Sequence, residues 1–454
     1  MTAPTVSPTT TADTPRTASR PLVRGLFAVV TLVGLVCLVW QLDGAFSHVR
    51  ENYLLDVGVF VDAGQAILDG NALYGDDFPS RSGFAFIYPP LAAVLFVPLT
   101  WMGEETMEMV WTLASLAAAW AVLTMAVHRI TVLAGVSTLW RRLAPLTGLA
   151  ALGFALLIEP LQVHLMYGQI NVFLVLLVAA DLLGYTPKWL RGAGVGIAAG
   201  IKITPAAYAL VFLVTRKWGD LARSFVAFLV TAGLGWIFRA SDSTFFWTEE
   251  FFNGERGGGP GYAANQALTG ILTRAGMDGD TAQTLMIPGL LVIAVISGWA
   301  VWRLSAAGRP VSVLLTLVLA VSISAPIAVA HHWTGIIVAI VLLAVQLSAL
   351  VTGRRDGWDW PTLTGTLLLV VANLSFGRLS DEDYQTSANH HYQVFPENGP
   401  WSFSDIGIVD FLYGNIQGIS GIICLALLCL AAWRARPAED AGPAEVKEPH
   451  TTDA

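Results

Sequence analysis

Four residues in a mostly apolar chain have the types and settings that acid–base chemistry and anion binding would use. Asp56 opens the stretch DVGVFVDAGQAILDGNALYG, in which Val57, Val59, Phe60, Ala63, Ala66, Ile67 and Leu68 fall largely on one helical face and Gly70-Asn71 supplies a stop. A carboxylate at the start of a short helix lying in a membrane surface can take a proton from a hydroxyl without the cost of full burial in hydrocarbon. Asp62, six residues on and on a different face, is the rival base, and a helix N-cap toward Val59 and Phe60 is the structural alternative for Asp56. Lys202 lies deep in another apolar run, directly before Thr204-Pro205. A lysine there needs an anion, a paired acid or a water-filled cavity, and a lipid phosphate is such an anion; snorkelling to the surface is the alternative. His331 and His332 follow Pro326 at the end of an apolar run, where imidazole can donate to a phosphate and, protonated, stabilise its departure. Adjacent residues point in different directions on a helix, so one of the pair is expected to reach the ligand; two interfacial histidines without a ligand are the plain alternative.

The elements that must hold these groups are membrane helices. Charged residues are 13% and apolar residues 55% of the 454, with mean hydropathy +0.61, against about 25% charged residues in a soluble domain. The apolar residues gather near 24–42, 86–102, 107–128, 143–158, 170–184, 193–214, 223–239, 283–302, 311–329, 333–351, 361–377 and 410–433. These runs approach the roughly 20 residues a helix needs to cross about 30 Å of hydrocarbon. The ten-residue alternation of a membrane barrel is missing. The expectation is an all-α polytopic membrane protein of about 12 transmembrane helices, with a short amphipathic helix in the first outer loop. Residues 1–19, rich in Thr, Pro, Ala and Ser, read as a disordered tail, 20–433 as the membrane domain and 434–454 as a second tail.

Basic residues favour the cytoplasmic ends of spans. Arg16, Arg20 and Arg24 therefore place the N-terminus inside, and Arg216, Lys217, Arg303, Arg309, Arg354, Arg355, Arg434 and Arg436 fall on the same side. The Asp56 loop, residues 240–282, the His331 corner and 378–409 are then outside, on the extracytoplasmic face of a plasma membrane. Twelve full crossings put Arg141, Arg142, Lys188 and Arg191 outside, against the rule. Either one segment is re-entrant, or those charges bind something anionic.

The remaining polar groups admit two readings each. Glu159 before Pro160, and Gln169 and Asn171 around Ile170, can line a sugar cavity or serve as interhelical glue. The glycine-rich stretch FFNGERGGGPGYAANQAL, with Arg256, Asn265 and Gln266, lacks the Lys-Ser/Thr of a phosphate-binding P-loop, so it reads as a mobile lid rather than a nucleotide site. With net charge −8, no nucleic-acid partner is expected. Tyr88-Pro89-Pro90 reads as a helix start, and His390-His391 and Asp381-Glu382-Asp383 as solvated loop. The 16 tryptophans fit an interfacial belt, a few of them free to stack on sugar rings. Cys37, Cys424 and Cys429 all lie in apolar runs, which gives no disulfide or metal framework.

In chain order, Gly-Asn-Ala-Leu-Tyr, FIYPPLAAVLFVPL at 86–99, YGQINVFLVLL at 167–177, GVGIAAGIKITPAAYALVFLVTRKW at 194–218, NQALTGIL at 265–272 and SAPIAVAHHW at 324–333 are similar to landmarks of a known family. From about residue 50 to 335 the chain resembles the polyprenyl-phosphate-mannose-dependent mannosyltransferases of glycosyltransferase family 87, which have the GT-C fold. Where family members commonly read Ser-Pro-hydrophobic-Ser-Trp before two histidines, this chain has Ala325 before Pro326 and AVA before His331. The resemblance implies an inverting transfer with Asp56 as the catalytic base, and Lys202, His331 and His332 on the donor phosphate. It also implies Glu159, Gln169, Asn171, Asn265 and Gln266 around the substrates; no cofactor is expected, and apart from Asp381-Glu382-Asp383 no acidic cluster has the spacing of a metal site. The implied partners are a polyprenyl-phosphate sugar donor, a lipid-linked glycan acceptor of the mannoside or lipomannan type, and membrane lipids; the implied product linkage is α-(1→2). A polyprenyl-phosphate-arabinose-dependent arabinofuranosyltransferase of the same family fits the same motifs. A transporter or lipid flippase fits the span count, but the halves show no repeat.

Overall fold

The structure, a computed structural model, describes residues 20–253, 258–353, 358–379, 391–395 and 406–437. The two tails beyond these limits, Arg256, Arg354, Arg355, Asp381-Glu382-Asp383 and His390 lie outside the described residues. Within them the secondary structure is helical apart from one isolated bridge between Ile158 and Leu374. Six helices are long and apolar enough to cross a membrane, and six shorter apolar helical stretches accompany them, so each apolar run of the sequence forms helix.

Close contacts fix which helix ends lie together. We call the side on which α1 (Arg20–Glu51) starts the near side and the side on which it ends the far side. The amphipathic helix α2 (Leu55–Asp69) follows on the far side, burying Val57, Val59, Phe60, Ala63 and Ala66, and stops at Gly70, whose φ of 74° suits glycine. Helices α3 (Pro90–Phe96) and α4 (Glu104–Leu133) come next. α4 also starts on the far side, because Glu108 accepts from the Leu54 N–H at 2.8 Å. Helix α5 (Ala144–Ala155) runs parallel to α1: Trp140 meets Phe27 edge-on with centroids 4.7 Å apart, and Gly34 lies against Ala150. A short far-side helix α6 (Glu159–Tyr167) leads into α7 (Asn171–Leu182), after which Tyr185 reaches His128 near the end of α4 at 2.6 Å. Arg141, Arg142, Lys188 and Arg191 therefore lie on the near side with the N-terminus, and the conflict with the charge rule disappears.

It disappears because the run at 86–102 turns back. Pro90 lies beside Gly235 at the far end of a later helix, and Phe96 and Val97 pack on Gly64 of α2. The seven α-helical and five 3₁₀ residues from Pro90 to Trp101 span only about 20 Å at their usual rises. The run at 193–214 is also discontinuous. Helix α8 (Ala193–Ile201) breaks at Lys202, a 3₁₀ turn covers Thr204–Ala209, and α9 (Leu210–Val214) returns to the near side. α8 lies parallel to α10 (Trp218–Phe238), with Gly196 against Ser224 and Gly200 against Thr231. A Cβ on these two glycines would come within 2.1 Å of the Ser224 oxygen and 1.8 Å of the Thr231 hydroxyl, so glycine is required for the backbones to approach this closely. Asp181 accepts from the Val195 N–H at 2.9 Å and holds the hairpin's first turn.

The other ten runs alternate in direction. α11 (Gly279–Ala306), α12 (Pro310–Ser324), α13 (Val338–Val351), α14 (Trp360–Ala372) and α15 (Ile416–Arg434) complete them. Arg309 pairs with Asp359 at 2.9 Å at the near ends of α12 and α14. Gln417 donates to Asn373 at 2.8 Å at the far ends of α14 and α15.

Candidate active site

A cavity of about 1190 Å³ lies over the apex of the hairpin that turns back from the near side. The first turn of α2 and loop 83–89 form one wall, the end of α6 and start of α7 another, and the Ala325–His332 corner a third. The hairpin apex from Lys202 to Tyr208 forms the floor.

Asp56, Gln169, Asn171, Lys202, His331 and His332 all line this cavity, drawn from four separate stretches of chain. Asp56 sits in the first turn of α2, but the N-cap residue is Leu54 and no side chain caps the helix. Burial pushes the Asp56 carboxyl up to about 6, against a hydrogen bond from the Gln169 side chain and the charge of Lys202, which both favour the ionised form. Lys202 takes an extended conformation (φ −144°, ψ 131°) where α8 ends, and its Nζ donates to Asn171 Oδ1 at 2.9 Å. Asn171 Nδ2 in turn donates to the His331 carbonyl at 3.0 Å. The Tyr88 ring, read from the sequence only as part of a helix start, stands 5.3 Å from Lys202 Nζ, within cation–π range.

The histidine corner is a 3₁₀ turn, Ala330–Ile337. Both histidines line the cavity, with ring centroids 4.5 Å apart. The Val329 N–H donates to His332 Nδ1 at 3.2 Å. A neutral His332 therefore carries its proton on Nε2, as a donor.

Three residues expected around the substrates lie elsewhere. Glu159 starts α6, buried, with its carboxylate 3.8 Å from His391. Asn265 and Gln266 are buried and brace the histidine corner from behind. Asn265 Oδ1 accepts from the Ala267 and Ala328 N–H groups, each at 3.0 Å, and the Gln266 N–H donates to the Ala328 carbonyl at 2.8 Å. The Gln266 side-chain amide donates to the Gly414 carbonyl at 2.8 Å and accepts from the Gly418 N–H at 3.2 Å. Arg274, fully buried and not singled out from the sequence, donates to Asn415 Oδ1 at 2.7 Å and to the carbonyls of Ala263 and Asn265. These bonds hold the loop that brings Tyr262 and Ala264 to the cavity wall. Asp62 faces away from the cavity and pairs with Arg81. The rings on the wall belong to Phe and Tyr, among them Phe84, Tyr88, Tyr167 and Tyr262, and no tryptophan is among the described lining residues. Among the described residues, no three His, Cys, Asp or Glu side chains group as metal ligands.

The fold and the site define a helical membrane protein with a cavity whose mostly apolar lining carries a cation and a few polar groups. The sequence profile of glycosyltransferase family 87 matches residues 86–328, more than half of the chain, and the chain belongs to that family. It is 32% identical over 383 residues to the polyprenol-phosphate-mannose-dependent alpha-(1-2)-phosphatidylinositol pentamannoside mannosyltransferase of Mycolicibacterium smegmatis, covering 82% of this chain and 88% of the relative. Over 361 residues it is 29% identical to the polyprenol-phosphate-mannose-dependent alpha-(1-2)-phosphatidylinositol mannoside mannosyltransferase of the same organism, covering 76% and 80%. The protein of the latter description from Mycobacterium tuberculosis is 30% identical over 335 residues, covering 68% and 76%. A solved structure, ArnT from Cupriavidus metallidurans bound to undecaprenyl phosphate, aligns with 92% of this chain and 78% of its own at 17% identity and a TM-score of 0.34.

Proposed function

We propose that the protein is an inverting glycosyltransferase of the GT-C type. It moves mannose from a polyprenyl-phosphate donor onto a hydroxyl of a lipid-anchored mannoside or lipomannan-type glycan, forming an α-(1→2) link. The observation that carries this reading is one cavity in which a half-buried carboxylate, Asp56, faces the Lys202–Asn171–His331 cluster. Relatives of the same family, named for polyprenol-phosphate-mannose-dependent α-(1→2) transfer, support the donor and the linkage.

In this reading Asp56 accepts the proton of the attacking hydroxyl while its oxygen bonds to the anomeric carbon. The bond from that carbon to the phosphate oxygen breaks on the opposite face, which inverts the configuration. Lys202 holds the phosphate, and the Nε2–H of His332 donates to it as negative charge gathers on the leaving oxygen. Gln169 orients the carboxylate through its hydrogen bond. We assign the cavity to the extracytoplasmic face of the plasma membrane, because the basic clusters at Arg141-Arg142, Lys188-Arg191 and Arg216-Lys217 all belong to the near side, as cytoplasmic ends do.

The test is transfer by membranes containing the protein, offered radiolabelled polyprenyl-phosphate mannose or polyprenyl-phosphate arabinose. Label from the mannose donor in an α-(1→2)-linked product is the expected result. Label from the arabinose donor alone would instead make the protein an arabinofuranosyltransferase, and label from neither would defeat both.

A further inference from the structure

We propose that Asp62, Arg81 and Glu104 form a clamp that positions the acceptor-facing wall of the cavity, so that Asp62 is a positioning residue and not a second base. The inference deepens the glycosyl-transfer reading above and rests on it. Asp62 is only 6% exposed, and both of its carboxylate oxygens are taken by one residue. Oδ1 accepts from Arg81 Nε at 2.6 Å and Oδ2 from the Arg81 N–H at 2.9 Å. The guanidinium's other arm donates to Glu104 at 2.8 Å, at the head of α4, and the group lies 5.7 Å from the centroid of the Tyr53 ring. Tyr53 is itself pinned: its hydroxyl occupies the space that a Cβ on Gly58 would fill, 1.7 Å away. One arginine thus ties its own loop to α2, to α4 and to the linker between α1 and α2.

Apart from the clamp, the loop is held by two buried rings, Phe78 and Phe86, whose centroids lie 6.1 Å apart. Its nearby backbone bonds are local, from Gly83 N–H to the Ser80 carbonyl at 3.4 Å and from Phe84 N–H to the Ser82 hydroxyl at 3.4 Å. Beyond Arg81 it is next secured at Phe86, which is buried, and at Tyr88, whose carbonyl accepts from the Tyr74 hydroxyl at 2.6 Å. Between these anchors Gly83, Phe84, Ala85 and Ile87 line the cavity on the wall shared with Asp56. Phe84 is 58% exposed, an aromatic face of the kind on which the C–H side of a hexopyranose packs. The donor phosphate belongs at Lys202 on the floor, so this wall faces the acceptor sugar.

Full-length Asp62→Asn and Arg81→Gln enzymes, assayed with a short-chain polyprenyl-phosphate mannose and an alkyl α-mannoside, test the clamp. Each should raise the acceptor KM by about tenfold through misplacement of the wall. Donor KM and the pH profile should hold. The double variant should be no worse than the worse single, because both changes break one unit. Hydrogen exchange of peptides covering 76–89 should quicken in both. If Asp62→Asn fails to accumulate, Arg81→Gln at its half-exposed position carries the same readouts. Lost turnover with unchanged acceptor KM and a lost pH limb in Asp62→Asn would make Asp62 chemical, and unchanged exchange in both variants would remove the clamp. Failure of the wild-type enzyme to transfer from this donor would strike the glycosyl-transfer reading instead, leaving the exchange measurement to judge the clamp alone.

Discussion

Lys202 donates to Asn171 at 2.9 Å, and that single contact connects the apex of a hairpin entering from the near side to the first residue of a helix that starts on the far side. The same amide holds the His331 carbonyl, so the ammonium and the histidine corner share one anchor. A phosphate arriving above Lys202 meets an oriented charge.

Lys202→Met is expected to weaken donor binding by about 2–5 kcal/mol, the usual cost of removing one partner from a desolvated, charge-assisted contact. The protein should still insert and fold, since methionine fills the same space. Donor affinity measured on purified protein checks this, and an unchanged value would make Lys202 structural.

Asp56→Asn keeps the size and one acceptor oxygen but removes the basicity. Turnover should fall by about a hundredfold or more with donor binding retained. No cap bond is lost, because Asp56 makes none. Near-normal transfer by the purified variant would remove Asp56 from the chemistry.

The pH dependence follows from the raised carboxyl of Asp56. A base must be ionised, so the rate should climb as pH rises through about 6 and be roughly tenfold lower at pH 5 than at pH 7. The linkage to stability has the opposite sense. With the folded value raised above the unfolded one, the stabilising contribution is complete below the unfolded value and is lost as pH rises through about 6. Asp56→Asn, neutral throughout, should therefore melt at or above the wild-type temperature at pH 7.5. A lower melting temperature would show that the ionised carboxylate is a net stabiliser.

Asn265→Ala leaves the buried N–H groups of Ala267 and Ala328 without their acceptor, at about 1–3 kcal/mol for each unsatisfied group. The expected result is a lower melting temperature together with a raised donor KM, since the loosened segment carries the histidines. Wild-type melting with only the acceptor KM raised would return Asn265 to direct substrate contact.

Much of the site was legible because polar groups in hydrocarbon need a reason. Lys202 stood out on that ground, Asp56 and the histidines through their place at the water–lipid boundary, and Gln169 and Asn171 through theirs at a helix boundary. Asn265, Gln266 and Glu159 looked the same for a physical reason: an amide or carboxylate satisfies itself equally well on a sugar or on a backbone. The partners that decided it, Ala328, Gly414 and the His391 region, come from distant parts of the chain. Asp62 was ambiguous until Arg81, nineteen residues later, closed on it. The twelve apolar runs were readable from length, but length does not distinguish a crossing from a hairpin. The clues to the hairpin were Lys202 with Thr204-Pro205, and Gly196 and Gly200 one turn apart.

The half-height hairpin of α8 and α9 acts as a stopper. Below Lys202 its apolar limbs, with Val211 and Phe212 buried, occupy the near half of the bundle, and the cavity walls end at the apex. Water and sugar that enter the upper half meet the apex from Lys202 to Tyr208 as the floor. A protein that carries its cargo across needs a path through both halves of the bundle; here the near half beneath the cavity floor is where the limbs of the hairpin lie, with Val211 and Phe212 buried.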